Sequence, residues 1–516
     1  MKRKISAIAD QFRGDNLKAR CARSSLVLGI GVVVAKGLTF GSKVILARLL
    51  VPQELGLMVL VLSITSLFQV LTEIGIKQSV IQNKNGARPE YLNMAWWFQS
   101  LRGVGLYVVA FFVAPFLCQF YFANRPEVLA VHTTEELLAL VRVAFLAILF
   151  WGFISPRVYV LEKEIRFGKK VVLTQGSAII GAIVTIVLAF VMRNVWALVI
   201  GFASMGFVEC LLSYILCPFR PRLSFDWESF QHIYRFARGI FGLPVLTYIA
   251  FNIDVLVAGK LVSTSLVGLY GMALALAVAP RELFTRIISP ILLPAFAEKQ
   301  DDRKALCRAV LKITKVTVLF AIPLVVLAAM CSKTVLSIVY GAQYSAVAVP
   351  FSLLCIYALL LIIGTILGNL FFGIGQPAKH RTFVAVRVLI LGVLIFPAIK
   401  LFGLTGAATT LLLASFIALC AQVLVLHRVI GLRVRDYVMS WVHGAVLAIP
   451  VLAVIVVVRG FMPDSPMVHL TVGVLSCIIV FGLGLLLPKF LDKRQRHERV
   501  GAKAVGLVCE KETESA

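Results

Sequence analysis

Hydrophobic residues dominate the chain in long stretches, each close to the roughly 20 apolar residues that a helix needs to cross a bilayer. Short polar connections separate them, and residues 331–346 and the charged start of the ninth stretch interrupt the pattern most. We therefore predict an all-α polytopic membrane protein with about 14 transmembrane helices. The predicted segments are 24–48, 54–76, 91–117, 136–156, 171–191, 195–216, 237–259, 265–288, 309–331, 346–373, 382–399, 404–427, 438–458 and 466–487.

Composition agrees with this prediction. The chain has 516 residues, of which 60% are hydrophobic and only 15% are charged, and its mean hydropathy is +0.94. A soluble protein of this length carries about 25% charged residues. The ten cysteines show no CxxC pair and no Cys/His cluster, which favours small apolar packing residues over a disulfide framework or a metal site.

The net charge of +26 follows the predicted loops. With the amino terminus in the cytoplasm, about 36 of the 51 lysines and arginines lie on the cytoplasmic side and about seven on the opposite side. This asymmetry predicts a multi-pass membrane protein with both termini cytoplasmic. Because the basic residues are scattered and form no groove with interleaved aromatics, the sequence argues against nucleic acid.

The first twelve segments divide into two halves of six. A shift of 212 residues aligns "RLLVPQELGL" (48–57) with "KLVSTSLVGL" (260–269), so that Gly56 meets Gly268 between the first two helices of each half. Parallel repeats of this kind occur in transporters that bind substrate between the halves. We predict a basic tail, 1–23, that lies on anionic lipid or in solvent. The other predicted regions are an N-lobe, 24–216; a cytoplasmic linker, 217–236; a C-lobe, 237–427; two added helices, 438–487; and a cytoplasmic tail, 488–516.

Eight basic residues lie within or near these apolar segments, where an unpaired charge facing lipid costs at least about 2.5 kcal/mol. On the first helix Lys36, Thr39 and Lys43 share one face, and Gly37 and Gly41 form a GxxxG motif suited to close helix contact. The basic residues line a watery cavity, or they snorkel or pair with carboxylates for folding. The eight are Lys36, Lys43, Arg102, Arg142, Arg281, Arg286, Lys315 and Arg387.

The second helix carries a comparable polar stripe. Its predicted face contains Ser66, Gln69, Glu73 and Lys77, and the last two have the i, i+4 spacing of an ion pair. Stripes of this kind are expected to face protein or water.

Basic residues outnumber acidic ones inside the predicted helices. The acids are Glu73, Asp254 and Glu282, and Glu282 has the spacing to pair with Arg286. An excess of cations around a cavity attracts an anion such as phosphate or pyrophosphate. The candidate cavity residues are Lys36, Lys43, Arg102, Arg142, Arg281 and Arg286. Glu73 and Asp254 are candidates for ion coupling or charge pairing, and for Asp254 we favour an arginine partner over a proton or cation site.

Enzyme motifs are missing from the sequence. There is no GxxxxGK[ST] phosphate loop and no HExxH, and the seven histidines lie far apart. The longest predicted loop is too short for a catalytic domain. We therefore expect neither an enzyme nor a bound cofactor or metal.

Two stretches carry a family resemblance. "LARLLVPQELGLMVLVLSITSLFQVLTEIGIKQSVIQ" (46–82) and "NIDVLVAGKLVSTSLVGLYGMALALAVAPRELFTRIISPILLPAF" (252–296) resemble the bacterial polysaccharide transporter family. These are Wzx-type flippases of the multidrug/oligosaccharidyl-lipid/polysaccharide (MOP) superfamily, and the similarity is greatest to the exopolysaccharide branch that handles polymers such as colanic acid. The resemblance implies two six-helix lobes that rock around a central cavity and move undecaprenyl-pyrophosphate-linked oligosaccharide across the inner membrane, coupled to an ion gradient. Such a protein serves exopolysaccharide, capsule or O-antigen biosynthesis beside membrane lipids, a polysaccharide polymerase and glycosyltransferases.

Two other readings remain open. One is an ion-coupled multidrug or metabolite antiporter of the same superfamily, although an extruder of cations would carry acidic residues in its cavity. The other is a scaffold that recruits glycan enzymes, whose membrane charges would then be paired throughout.

Overall fold

The computed structural model describes residues 17–73, 75–123, 125–164, 167–222, 225–240, 243–462 and 466–482. Residues 1–16 of the predicted N-terminal tail and the whole predicted tail 488–516 lie outside this part of the chain. So does the end of the last predicted segment, from residue 483.

The described residues form helices joined by short connections. Several helices begin with proline, whose fixed φ angle and missing N–H suit the first helical turn. Up to Ile240 the helices are α1 (Leu17–Leu49), α2 (Pro52–Leu71), α3 (Ile76–Gln82), α4 (Pro89–Phe122), α5 (Pro126–Leu129), α6 (Thr134–Gly152), α7 (Arg157–Lys163), α8 (Phe167–Met192), α9 (Val195–Leu216) and α10 (Trp227–Ile240).

The remaining helices include a long one, α17, that is interrupted at Gly403, where φ is 56° and ψ is −139°. The helices are α11 (Leu243–Leu261), α12 (Thr264–Ile287), α13 (Ser289–Ala297), α14 (Arg303–Met330), α15 (Ser332–Val339), a 3-10 turn (Ala342–Val347), α16 (Ala348–Gly373), α17 (Pro377–Ile430), α18 (Val434–Phe461) and α19 (Pro466–Gly482). Because of the break at Gly403, α17 contains both the eleventh and the twelfth predicted segments.

All fourteen predicted segments fall on helices in the described part of the chain. Ten helices there are long and apolar enough to span a membrane, or eleven when α6 and α7, bent by 63°, count as one span. The predicted boundaries need three corrections, one of which is that the fourth segment, 136–156, runs past the end of α6 at Gly152. The second segment, 54–76, is too long because α2 ends at Leu71, and the seventh, 237–259, joins the end of α10 to α11.

The chain forms two compact units. The first comprises the described part of Met1–Glu298 together with Leu336–Gln422, and in it α2 packs against both α11 and α12. Within the same unit α1 packs along α8, α9 contacts α6 and α8, and α16 lies buried against α12. The second unit comprises Lys299–Val335 and the described part of Val423–Ala516, and its main contact joins α14 to α18. The division into an N-lobe and a C-lobe stays a prediction.

Glycine decides where α2 and α12 cross. A β-carbon on Gly56 would lie 1.9 Å from the backbone oxygen of Thr264, and one on Gly268 would lie 2.1 Å from the oxygen of Pro52. Only a residue without a side chain allows two backbones to approach so closely. The predicted GxxxG contact on α1 is wrong, because among the described residues no atom lies within 4 Å of a β-carbon built on Gly37 or Gly41.

Candidate functional site

The first cluster of charge joins α1 to α12. The ammonium group of Lys36 forms an ion pair with the carboxylate of Glu282, and both side chains are only partly exposed. Lys43, about two helical turns further along α1, lies within electrostatic range of both groups. Arg286, on α12, is exposed and belongs to the same electrostatic environment around Glu282. Three cations therefore surround one carboxylate, and the cluster keeps an excess of positive charge.

This geometry corrects the expected pairing of Glu282. The sequence spacing allowed a pair with Arg286 on the same helix, but the ion pair that forms is the one with Lys36, 246 residues away. Lys43 and Arg286 make no ion pair within the described part of the chain, so both are available to a ligand. Thr39, predicted on the same face, donates its hydroxyl proton to the carbonyl of Ala35 at 2.7 Å. It is therefore occupied within its own helix.

The second cluster surrounds the break after α2. Because α2 ends at Leu71, Glu73 does not continue the face of Ser66 and Gln69, and the predicted Glu73–Lys77 pair is wrong. Arg102 of α4 instead donates to Glu73 at 3.3 Å and to the carbonyl of Thr72 at 3.2 Å. The end of α2 is thereby tied to α4.

Lys77 has a different partner. It pairs with Glu162 of α7 at 3.0 Å, and Glu162 also pairs with Lys170 of α8 at 2.6 Å. One carboxylate thus holds two ammonium groups from different helices. Lys77 also borders a cavity of about 420 Å³, whose wall includes Glu73, Arg102, Gln99, Tyr159 and Glu209.

Glu209 of α9 was not among the intramembrane acids expected from the sequence. It accepts a hydrogen bond of 2.8 Å from the indole N–H of Trp151. Its carboxylate and that of Glu73 balance Lys77 and Arg102 around the cavity, so this second cluster has no excess of positive charge.

Arg142 stands apart from both clusters. Its guanidinium lies over the ring of Phe111, 3.8 Å from the centroid, and its Nε has no hydrogen-bond partner among the described residues. A cation–π contact of this type holds α6 against α4. The structure therefore gives Arg142 a packing contact and does not bring it to Lys36 and Lys43.

The third cluster lies between α11, α12, α16 and α17. Asp254 is fully buried and accepts a 2.8 Å hydrogen bond from the hydroxyl of Tyr270. Arg281 and Arg387 both lie over the ring of Phe251, at 4.4 and 4.6 Å from its centroid. The partner of Asp254 is thus a tyrosine, where an arginine was expected, although Arg387 contributes to its electrostatic surroundings. This correction leaves Asp254 as a candidate ion-coupling residue.

The six predicted cations consequently fall into four places. Lys36, Lys43 and Arg286 come together, and Arg102 and Arg142 lie elsewhere. Arg281 is within electrostatic range of Glu282 but lies over Phe251 in the third cluster. Arg387 was recognised as an intramembrane basic residue but was not chosen for the site. It lies on α17, five helices after Arg281 on α12, and nothing in the sequence indicated that the two arginines lie over the same ring. Within the described residues there is also no group of three or more His, Cys, Asp and Glu side chains that could hold a metal ion.

Near α5, two buried charged residues that were not predicted from the sequence form hydrogen bonds with other segments of the chain. Glu54 of α2 accepts the backbone N–H of Val195 at 2.7 Å and lies 3.0 Å from the ring of His132. Arg125 is buried there and donates to the hydroxyl of Thr264 at 2.8 Å and to the carbonyl of Gly259. The contacts of Arg125 tie α4 and α5 to α11 and α12. The buried charges of Glu54 and Arg125 therefore stabilise the packing of the helices.

The helices and their embedded charges define a polytopic membrane protein. The chain belongs to the family described as "Polysaccharide biosynthesis protein", whose model matches residues 45–349, more than half of the sequence.

Relatives and solved structures agree with this assignment. The lipopolysaccharide biosynthesis protein WzxC of Escherichia coli (strain K12) is 25% identical over 433 residues, covering 82% of this chain and 85% of the relative. The succinoglycan biosynthesis transport protein ExoT of Rhizobium meliloti (strain 1021) is 22% identical over 321 residues, covering 61% of this chain and 62% of the relative. The structure of the lipid II flippase MurJ in an inward closed conformation superposes with a TM-score of 0.71 at 15% identity, covering 89% of this chain and 98% of that chain.

Proposed function

We propose that this protein is a flippase that moves undecaprenyl-pyrophosphate-linked oligosaccharide repeat units across the bacterial inner membrane for exopolysaccharide, capsule or O-antigen biosynthesis. It performs no chemistry on its substrate and works by alternating access of two lobes around a cationic cavity. Both termini lie in the cytoplasm. A polysaccharide polymerase and glycosyltransferases act beside it, on the product and on the precursor.

Family membership and the names of the relatives support the glycan part of this proposal. The likeness to a lipid II flippase is one of fold and is compatible with a lipid-linked substrate. The observation that carries the mechanism is the first cluster, in which Lys36, Lys43 and Arg286 surround the single carboxylate of Glu282. Such an excess of positive charge among apolar helices attracts a pyrophosphate, while the polyprenyl chain stays in the bilayer.

The Lys36–Glu282 ion pair gives this cluster a means of responding to substrate. It joins α1 to α12, so it stabilises the arrangement in which these helices are in contact. A pyrophosphate competes with Glu282 for the same ammonium group, with Lys43 as an additional ligand. Binding of the substrate therefore weakens the link between α1 and α12, and release of the substrate restores it.

Complementation tests the function. The protein is expressed in a strain that lacks its own exopolysaccharide flippase, and both surface polymer and lipid-linked repeat units trapped inside are measured. Restored polymer with loss of the trapped intermediate is the expected result. No rescue by a folded, membrane-inserted protein, together with ion-coupled efflux of small cations, would favour the antiporter.

Substitution tests the cluster. The double variant Lys36→Ala and Lys43→Ala is compared with Arg193→Ala, an exposed arginine outside the cluster. We expect export to fall at least about tenfold in the double variant at equal protein abundance, because charge-assisted contacts to phosphate are lost. Full transport by the double variant would refute the assignment of the cavity.

A further inference from the structure

A cavity of about 350 Å³ lies within the third cluster, between α11, α12, α16 and α17. Its size falls in the range of roughly 300–1,000 Å³ that is usual for small-molecule sites. Arg281, Arg387 and His380 contribute to its wall, along with hydroxyl and amide groups such as those of Thr285, Asn369 and Gln422. The residues that line it include no aspartate and no glutamate. The cavity therefore has a largely apolar wall into which two arginines, a histidine and several hydroxyl and amide groups are set.

Six of its polar atoms have no hydrogen-bond partner in the described part of the chain. Buried polar groups in proteins are normally paired, and leaving one unpaired costs about 1–3 kcal/mol. Three of the side chains concerned are more than nine-tenths buried: Arg387 is 7% exposed, Ser415 6% and Gln422 7%. The six atoms are Nε of Arg281, Nε of Arg387, Oγ1 of Thr285, Nδ1 of His380, Oγ of Ser415 and Oε1 of Gln422. A ligand that satisfies them must offer several donors and acceptors around one compact body.

The two arginines fix the charge of that ligand. Since both guanidinium groups lie over the ring of Phe251, they cannot be further apart than the sum of their distances to its centroid. Arg387 is held in orientation because it donates to the carbonyl of Ala250 at 2.7 Å and to the hydroxyl of Tyr357 at 2.6 Å. Two neighbouring guanidinium groups, one of them held by hydrogen bonds, beside a cavity without carboxylates suit a carboxylate ligand.

We propose that this cavity binds a sugar residue bearing a carboxylate, such as a uronic acid, within the oligosaccharide of the transported lipid. The inference rests on the proposed function and names the class of glycan that the protein carries. The hydroxyl groups of the sugar ring form hydrogen bonds with the polar atoms that have no partner among the described residues. The carboxylate lies against Arg281 and Arg387. The pyrophosphate lies at the separate cluster around Lys36 and Lys43. Inorganic phosphate would leave most of these six polar atoms without a hydrogen-bond partner.

Binding of free monosaccharides tests the site independently of transport. The purified full-length chain is reconstituted in nanodiscs and titrated calorimetrically with sodium glucuronate, glucose and inorganic phosphate. We expect glucuronate to bind at least about tenfold more tightly than glucose or phosphate, since only it supplies both the charge and the ring hydroxyls. Equal affinity for glucose would overturn the role of the arginines, and tighter binding of phosphate would identify a phosphate site.

Two variants and a control locate the binding. Arg387→Gln is expected to weaken glucuronate binding at least about tenfold, and Arg387→Lys to weaken it as well, because one ammonium group cannot contact Ala250, Tyr357 and the carboxylate together. Arg435→Gln, which changes an exposed arginine of the second compact unit, should bind like the wild type. Should Arg387→Gln fail to fold, Ser415→Ala is measured in its place and is expected to weaken binding about threefold to tenfold. Wild-type affinity in a folded Arg387 variant would refute the proposal.

Transport distinguishes a failure of this inference from a failure of the proposed function. Two strains without a flippase are complemented, one that makes a polymer with uronic acid and one that makes a neutral polymer. Rescue of neither strain contradicts the proposed function. Rescue of the acidic strain that is lost in Arg387→Lys supports the site. Equal rescue of both strains, unaffected by Arg387→Lys, contradicts an acidic-sugar site while leaving the flippase intact.

Discussion

Gly56 and Gly268 lie against one another where α2 crosses α12. A β-carbon on Gly268 would lie 2.7 Å from the backbone nitrogen of Gly56, and one on Gly56 would lie 3.0 Å from the backbone nitrogen of Gly268. The contact is reciprocal, and it joins the two glycines that a shift of 212 residues aligns. The two halves of the sequence therefore touch at equivalent positions.

We predict that Gly268→Ala lowers the free energy of unfolding by at least about 3 kcal/mol, because the new methyl group would collide with a backbone that has no room to move. Unfolding in a denaturing detergent, followed by tryptophan fluorescence, measures the change. Gly37→Ala is the matched control, since among the described residues no atom lies within 4 Å of its β-carbon. It should be neutral or stabilising by about 0.5–1 kcal/mol. Similar losses in both variants would contradict the close crossing.

The Lys36–Glu282 ion pair predicts energetic coupling between α1 and α12. Because both side chains are about a third exposed, at 32% and 42%, solvent screens the pair and we expect a coupling of about 1 kcal/mol. A double-mutant cycle of Lys36→Met and Glu282→Met measures it, with stability as the readout. The double variant should be closer to the wild type than the sum of the single losses. Strict additivity would show that the two residues do not interact.

We predict that the buried guanidinium of Arg125 stabilises the fold. Arg125→Gln should cost about 2 kcal/mol or more, because the hydroxyl of Thr264 and the carbonyl of Gly259 lose a charged donor in a buried site. Arg193→Gln, at an exposed arginine, should change stability by less than about 0.5 kcal/mol. Thermal unfolding in detergent compares the two variants. An unchanged midpoint in Arg125→Gln would show that its contacts contribute nothing.

The carboxylate of Glu162 is the shared partner of two lysines, so we predict that removing its charge lowers stability and that also removing one lysine restores part of the loss. Glu162→Gln leaves the ammonium groups of Lys77 and Lys170 beside each other without a counter-charge, and we expect a loss of about 1–2 kcal/mol. Adding Lys77→Met should recover part of that loss, since one of the repelling charges is removed. Glu135→Gln, at an exposed glutamate, is the control. Stability in detergent is the measurement, and a further loss in the double variant would contradict this arrangement.

Helix positions were largely predictable from the sequence, whereas the partners of the charges were not. The apolar stretches placed every predicted segment on a helix, because hydrophobic length is a local property. The Glu73–Lys77 pair failed because it assumed that α2 continues past Leu71. Glu282 paired with Lys36 and not with Arg286, and Asp254 with Tyr270 and not with an arginine, because these choices depend on which helices become neighbours.

The sequence by itself determined that this is a polytopic helical membrane protein with more basic than acidic residues in its helices, and its motifs pointed to the polysaccharide transporter family. These properties follow from burial in lipid, which acts on each segment separately. Only the tertiary structure decided which cations gather around Glu282, which glycines allow α2 to cross α12, and that Arg281 and Arg387 share the ring of Phe251. Side-chain contacts between distant segments arise from helix packing, and a pattern of period 3.6 along one helix does not encode its neighbour.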